Sequence, residues 1–179
     1  MKRGGVIREL FHYDAARILA GTSFVPKEGE FEIPAGASLR EVMAIIHTGR
    51  SHQRRLTIIE GKTSADIRRI IADNDHFTGD ITLETEEGSL LPETYFFTHG
   101  TSRDAMLSRM QEKLDMTLAE AWADRAPDLP YKTPGDALIL ASIIELETAD
   151  SEDRREVAGV FVNRLRRGMR LQSDPTVLY

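Results

Sequence analysis

Apolar positions recur at helical spacing twice in the first half of the chain, as Leu39, Val42, Met43 and Ile46 and again as Ile67, Ile70 and Ile71. Ahead of each set stands a residue that can cap a helix, Ser38 and Thr63, with an acid three positions on, Glu41 and Asp66. That spacing predicts a capping box at both helix starts. Short strand candidates precede both units, at 30–33 and 55–59, each followed by a glycine, Gly36 and Gly61. The two copies lie about 25 residues apart, and each reads as strand, tight glycine turn and capped helix. Two such units can share one small sheet; two copies are too few for a solenoid.

Residues 74–87 are polar and turn-rich, and predict a loop or hinge with a short strand at 81–83. The stretch Glu87-Gly88-Ser89-Leu90-Leu91-Pro92-Glu93-Thr94-Tyr95-Phe96-Phe97 follows. Beyond it the periodicity predicts helices over 102–114, 118–126, 134–148 and 151–167. Prolines punctuate the chain between the second and third of these, Ser151 is the expected N-cap of the last, and Gly168 is its expected stop. The fold class expected is α+β: a small strand–helix module over 1–80, then a mainly helical portion over 81–179.

Composition changes this picture little. The 179 residues are 41% hydrophobic and 29% charged, an ordinary globular mixture. A net charge of −6 argues against nucleic acid as the main partner. The absence of cysteine excludes thiolate chemistry and disulfides. The five histidines are scattered, none at i, i+4 spacing, so no zinc site is expected. No apolar run reaches the ~20 residues that a membrane helix needs, and Met1-Lys2-Arg3-Gly4-Gly5 is not a signal peptide.

The candidate chemistry lies late in the chain. The apolar stretch 137–144 leads directly into Glu145. A carboxyl at the end of a buried helix is costly unless it is paired or protonated. A protonated carboxyl is what general-acid chemistry needs; an ion pair with Arg154, Arg155 or Arg164 would explain it equally. Glu147 lies about 200° round the helix from Glu145, so the two acids do not share a face and do not form a catalytic pair. Asn163 and Arg164 sit beside Val157, Val160, Phe161 and Leu165, and Asn163 needs a partner there, from a substrate or a loop carbonyl. Gln172-Ser173-Asp174-Pro175-Thr176 is a dense polar turn that turn chemistry alone can explain. Glu93 and Tyr95, flanked by leucines and phenylalanines, suit either a sugar cleft or a seam between modules. No glycine-rich phosphate cradle is present.

Taken together, the stretch from Ala141 to Thr148, that from Val157 to Leu165, that from Gly168 to Tyr179, and Glu87 to Tyr95 resemble the signature of the MltG/YceG-like endolytic murein transglycosylase family, in family order. The resemblance implies a LysM-like module ahead of a catalytic domain, and a bacterial inner-membrane anchor with the rest on the periplasmic face. It implies endolytic cleavage of the β-1,4 bond between N-acetylmuramic acid and N-acetylglucosamine, leaving 1,6-anhydro ends. It places the family's catalytic glutamate on Glu145 of Ser142-Ile143-Ile144-Glu145 and brings peptidoglycan strands, and wall-synthesis proteins, as partners. No cofactor and no metal are implied. Substrate contacts are expected at Glu93, Tyr95, Asn163, Arg164, Gln172, Ser173, Asp174 and Thr176. Two positions depart from the family pattern: Leu146 stands where lysine is common, and Glu93 replaces a frequent aspartate. The family's catalytic domain also continues past the position of Tyr179, so the chain is expected to be an incomplete, soluble piece of it.

Three rivals are open on the sequence alone. One is a non-catalytic glycan-binding module. Another is pyridoxal-phosphate chemistry, an aminodeoxychorismate lyase label attached to the family, but the lysines Lys2, Lys27, Lys62, Lys113 and Lys132 lie in polar contexts. The third is a cell-wall scaffold.

Overall fold

The computed structural model describes residues 29–49, 51–148, 150 and 152–174. Within them run α1 (Leu39–Thr48), β1 (Arg54–Thr57), α2 (Ser64–Ala72), β2 (Thr94–Phe97), α3 (Arg103–Ala123), α4 (Pro134–Glu147) and α5 (Arg154–Arg166). The class is α+β, with a two-stranded sheet of β1 and β2. Two compact units emerge. One holds the described residues up to Leu56 with Phe96–Thr101; the other holds Thr57–Tyr95 with Ser102 onward.

The capped helices form where the pattern places them. Ser38 accepts from the Glu41 N–H while Glu41 returns a carboxylate to the Ser38 N–H, a complete capping box. Thr63 likewise accepts from the Asp66 N–H, but the Asp66 carboxylate takes the Thr63 hydroxyl rather than the Thr63 N–H, so the second expected box is only half made. The buried faces are Val42, Met43 and Ile46 on α1, and Ile67 and Ile71 on α2.

The strands differ from expectation. Residues 30–33 form no strand; the Glu30 carbonyl instead takes the His52 N–H, and its carboxylate pairs with Arg54. So the two repeats do not supply the sheet. The partner of β1 is β2, in the apolar stretch after Pro92, where the Ile58 N–H donates to the Glu93 carbonyl and Thr57 meets Thr94. Nor is 81–83 a strand. The N–H groups of Thr82 and Leu83 go to the Asp104 carboxylate, and the Leu83 carbonyl accepts from Arg68. A strand would have needed those groups for its ladder.

The two helices expected over 102–126 are one, α3, because no glycine or proline interrupts 115–117 and the backbone ladder simply continues. Its first half presents Met106, Leu107, Met110 and Leu114 to the core, with Ile58, Ile67, Ile71 and Phe77 also buried in this unit. Arg103 closes the C-terminal end of α2: its guanidinium donates to the carbonyls of Ile71, Ala72 and Asn74, which no further helical turn can satisfy. The last helix begins at Arg154, with Asp153 as N-cap and no side-chain cap bond. The expected cap, Ser151, lies outside the described residues.

Candidate active site

Helix α4 starts in a complete capping box, Thr133 with Asp136, and has Pro134 in its first turn. Hydrogen bonds from Thr133 hold the Asp136 carboxyl below its ordinary value. At the other end the helix carries two acids, Glu145 and Glu147, and no basic residue in its last turn. Negative charge is unfavourable against the helix C-terminus, so each acid needs a partner from elsewhere in the fold.

Glu145 finds it across the connection to α5. Arg154 Nη2 donates to Glu145 Oε1 at 2.9 Å. Each charge opposes its own helix dipole and complements its neighbour's: Glu145 ends α4 beside a residue that begins α5. The Glu145 side chain is 29% exposed and that of Arg154 41%, so this pair is neither fully buried nor free in solvent. Of the three arginines the sequence offered, the fold selects Arg154. The buried helix expected around Glu145 is not observed: on α4 only Leu140 is buried, and Ile139 and Leu146 are exposed. Arg154 Nε, by contrast, is buried and has no hydrogen-bond partner among the described residues.

Glu147 is tied off separately by the Oγ of Ser173, which is buried. Arg164 donates to the Leu171 carbonyl, and the Met169 N–H returns to the Arg164 carbonyl at 2.9 Å. The turn after α5 bends at Gly168 and Gln172, both at positive φ, and these bonds bring it back to the end of α4. Asn163, Gln172 and Asp174 are exposed around this turn. The exposure of Asn163 removes the burial that had called for a partner. Thr176 lies outside the described residues.

Glu93 and Tyr95 stand apart from this group, beside α3. Glu93 pairs with Lys113. The Tyr95 ring is buried, its hydroxyl donates to the Leu91 carbonyl at 2.7 Å, and Arg109 and Lys113 lie over its face. Burial first, and the nearby Glu93 charge second, push the phenol up to about 12. Neither Arg109 nor Lys113 stands out in the sequence as a partner of Tyr95, although their i, i+4 spacing on one helix face is a signal for it. Glu87, of the same sequence stretch, serves α2, where its carboxylate accepts the Ser64 N–H at 3.0 Å.

A groove of about 390 Å³ opens between Tyr131, Ile139, Leu140, Ile143, Leu165 and Leu171. It too escaped the sequence, since its walls come from two loops and two helices. Glu145 does not line it. Among the described residues no group of three or more potential ligands could hold a metal, and no helix is long and apolar enough to cross a membrane.

The YceG-like family model matches residues 1–179, and the chain belongs to that family. Over 94 residues it is 37% identical to a protein named endolytic murein transglycosylase from Streptococcus pneumoniae serotype 2 (strain D39 / NCTC 7466), covering 52% of this chain and 16% of that protein. Over 157 residues it is 29% identical to an endolytic murein transglycosylase of Bacillus subtilis (strain 168), covering 84% of this chain and 43% of that one. The chain thus spans less than half the length of these curated relatives. A crystal structure of a yceG-like protein, lmo1499 from Listeria monocytogenes, aligns with 99% of this chain and 68% of its own at 24% identity and a TM-score of 0.49.

Proposed function

We propose that this protein is an endolytic peptidoglycan lytic transglycosylase in which Glu145 is the sole acid and base. Family membership and the names of two relatives support the reaction class. The observation that carries the residue is the Glu145 carboxylate itself: part-exposed at a helix end and held by the Arg154 guanidinium.

In the reaction, the Glu145 carboxyl gives its proton to the glycosidic oxygen as the bond from that oxygen to C1 of N-acetylmuramic acid breaks. The carboxylate then takes the proton from the C6 hydroxyl of the same sugar as O6 bonds to C1. The products are a new chain end and a 1,6-anhydro end; no water is consumed. One carboxyl does both proton transfers, unlike glycosidases that need two at a set separation. In this reading Asn163 and Arg164 contact sugar from α5, Gln172, Ser173, Asp174 and Thr176 from the turn after it, and Glu93 from just ahead of β2, where the buried Tyr95 supports that contact rather than making it. The strand–helix module over 1–80 is the LysM-like glycan-binding part, and the whole protein works at the periplasmic face of the inner membrane beside wall-synthesis proteins.

The rival is a glycan-binding module without catalysis, favoured by the fact that Arg154 already satisfies Glu145. A murein digest by the full-length protein separates the two. Anhydro ends are expected, and Glu145→Gln should lower their rate by about 10²- to 10⁴-fold with the fold intact. Glycan binding without anhydro ends from the wild type would establish the binding module instead.

A further inference from the structure

The Glu145–Arg154 pair is held by one bond where an arginine fork frequently makes two parallel ones, as Arg54 does with Glu30. Here Nη2 makes one bond, to Oε1 at 2.9 Å, while the adjacent Nε is buried and idle among the described residues. A buried donor left unused costs stability and calls for an explanation. The second acid of the same turn, Glu147, shows the contrast: it is tied by a buried serine hydroxyl and not by a cation.

What the single bond does is asymmetric. A guanidinium has only donors and does not lose its proton in proteins. The oxygen it holds must therefore remain an acceptor in both protonation states of the carboxyl. Resting on the reading of Glu145 as acid and base, we infer that Arg154 is a positioning residue: its clamp on Oε1 makes Oε2 the oxygen that gives the proton to the glycosidic oxygen and later takes it from the C6 hydroxyl. A one-carboxyl mechanism needs this, because the same oxygen must face the leaving group and then the attacking hydroxyl. Free rotation of the carboxyl would place the proton on either oxygen. Arg154, first residue of α5, removes that freedom without touching the sugar.

The test uses the full-length protein and the rate of anhydro-end formation. Arg154→Ala is expected to lower kcat by about 10²-fold, the cost of a misplaced reacting group, with KM little changed. Free guanidinium at sub-denaturing concentration is expected to restore kcat at least about tenfold, and Arg154→Lys to fall between wild type and Arg154→Ala. A purely structural role would give a loss that neither guanidinium nor lysine repairs, and that result overturns the inference. So does wild-type kcat in Arg154→Ala, which leaves the assignment of Glu145 standing. Absence of anhydro ends from the wild type removes the acid/base reading, and this inference with it. If Arg154→Ala does not fold, Arg154→Lys decides: kcat equal to wild type overturns the inference, and a loss in kcat alone that guanidinium partly restores supports it.

Discussion

Helices α2 and α3 and helices α4 and α5 belong to one compact unit, yet they are held in different ways. On α2 and the first half of α3 the core-facing apolar residues are buried: Ile67, Ile71, Met106, Leu107 and Met110 are all essentially inaccessible, while Met116 in the second half of α3 is exposed. The second pair is no poorer in apolar residues, and α4 is the most apolar of the described helices, but its apolar positions run all round the helix. Only Leu140 and Phe161 are buried there, while Ile139, Leu146 and Val160 face outward. Polar bonds fix this second region: Glu145 with Arg154, Glu147 with Ser173, and Arg164 with the turn that follows. Apolar content alone does not bury a helix; a single apolar stripe facing a neighbour does. The region left open and fastened by charge is also the one that carries the candidate chemistry.

The sharpest way to break this comparison is to delete equivalent apolar bulk in both places. Met110→Ala should cost about 2–5 kcal/mol, through lost transfer energy and a residual cavity. Ile139→Ala, 62% exposed in the native fold, should change stability by no more than about 0.5 kcal/mol. Urea midpoints of the two variants measure the difference, and equal losses would show that α4 is buried after all. A smaller effect is expected from Arg103→Met, which takes the guanidinium donor away from the carbonyls of Ile71, Ala72 and Asn74 at the end of α2. A loss of about 1–3 kcal/mol should follow, with faster amide exchange in α2 than in α5.

The smallest effect joins the regions, because both start helices with an acid. Asp104 is held below its ordinary 3.8 mainly by Thr82, and then by the Leu83 N–H. Asp136 is lowered likewise by Thr133. A carboxyl lowered in the fold adds stability that is complete above its unfolded value and is lost as pH falls through the folded one. Melting temperature should therefore drop on acidification below about pH 4, and Asp104→Asn should flatten that drop in part. An unchanged acid slope in Asp104→Asn would remove Asp104 from the account.

The sequence alone determined what depends on neighbours along the chain. Ser38 with Glu41, Thr63 with Asp66 and the stop at Gly168 were readable because a cap or a turn is satisfied within four residues. The boundaries of α4 and the buried faces of α1 and α2 followed from the same short-range periodicity. The motifs from Glu87 to Tyr95 and after Ala141 pointed to the family that the whole chain matches. Tertiary structure alone decided which groups far apart in sequence compete for the same backbone atoms and charges. Asp104 and Arg68 took the groups that a strand at 81–83 required, and β1 paired with β2 rather than with 30–33. It chose Arg154 among three arginines, and Ser173 for Glu147, since a partner is set by the path of the connection and not by residue type. It also left α4 half-bare, because burial depends on what lies opposite a helix face, and no pattern within the helix records that.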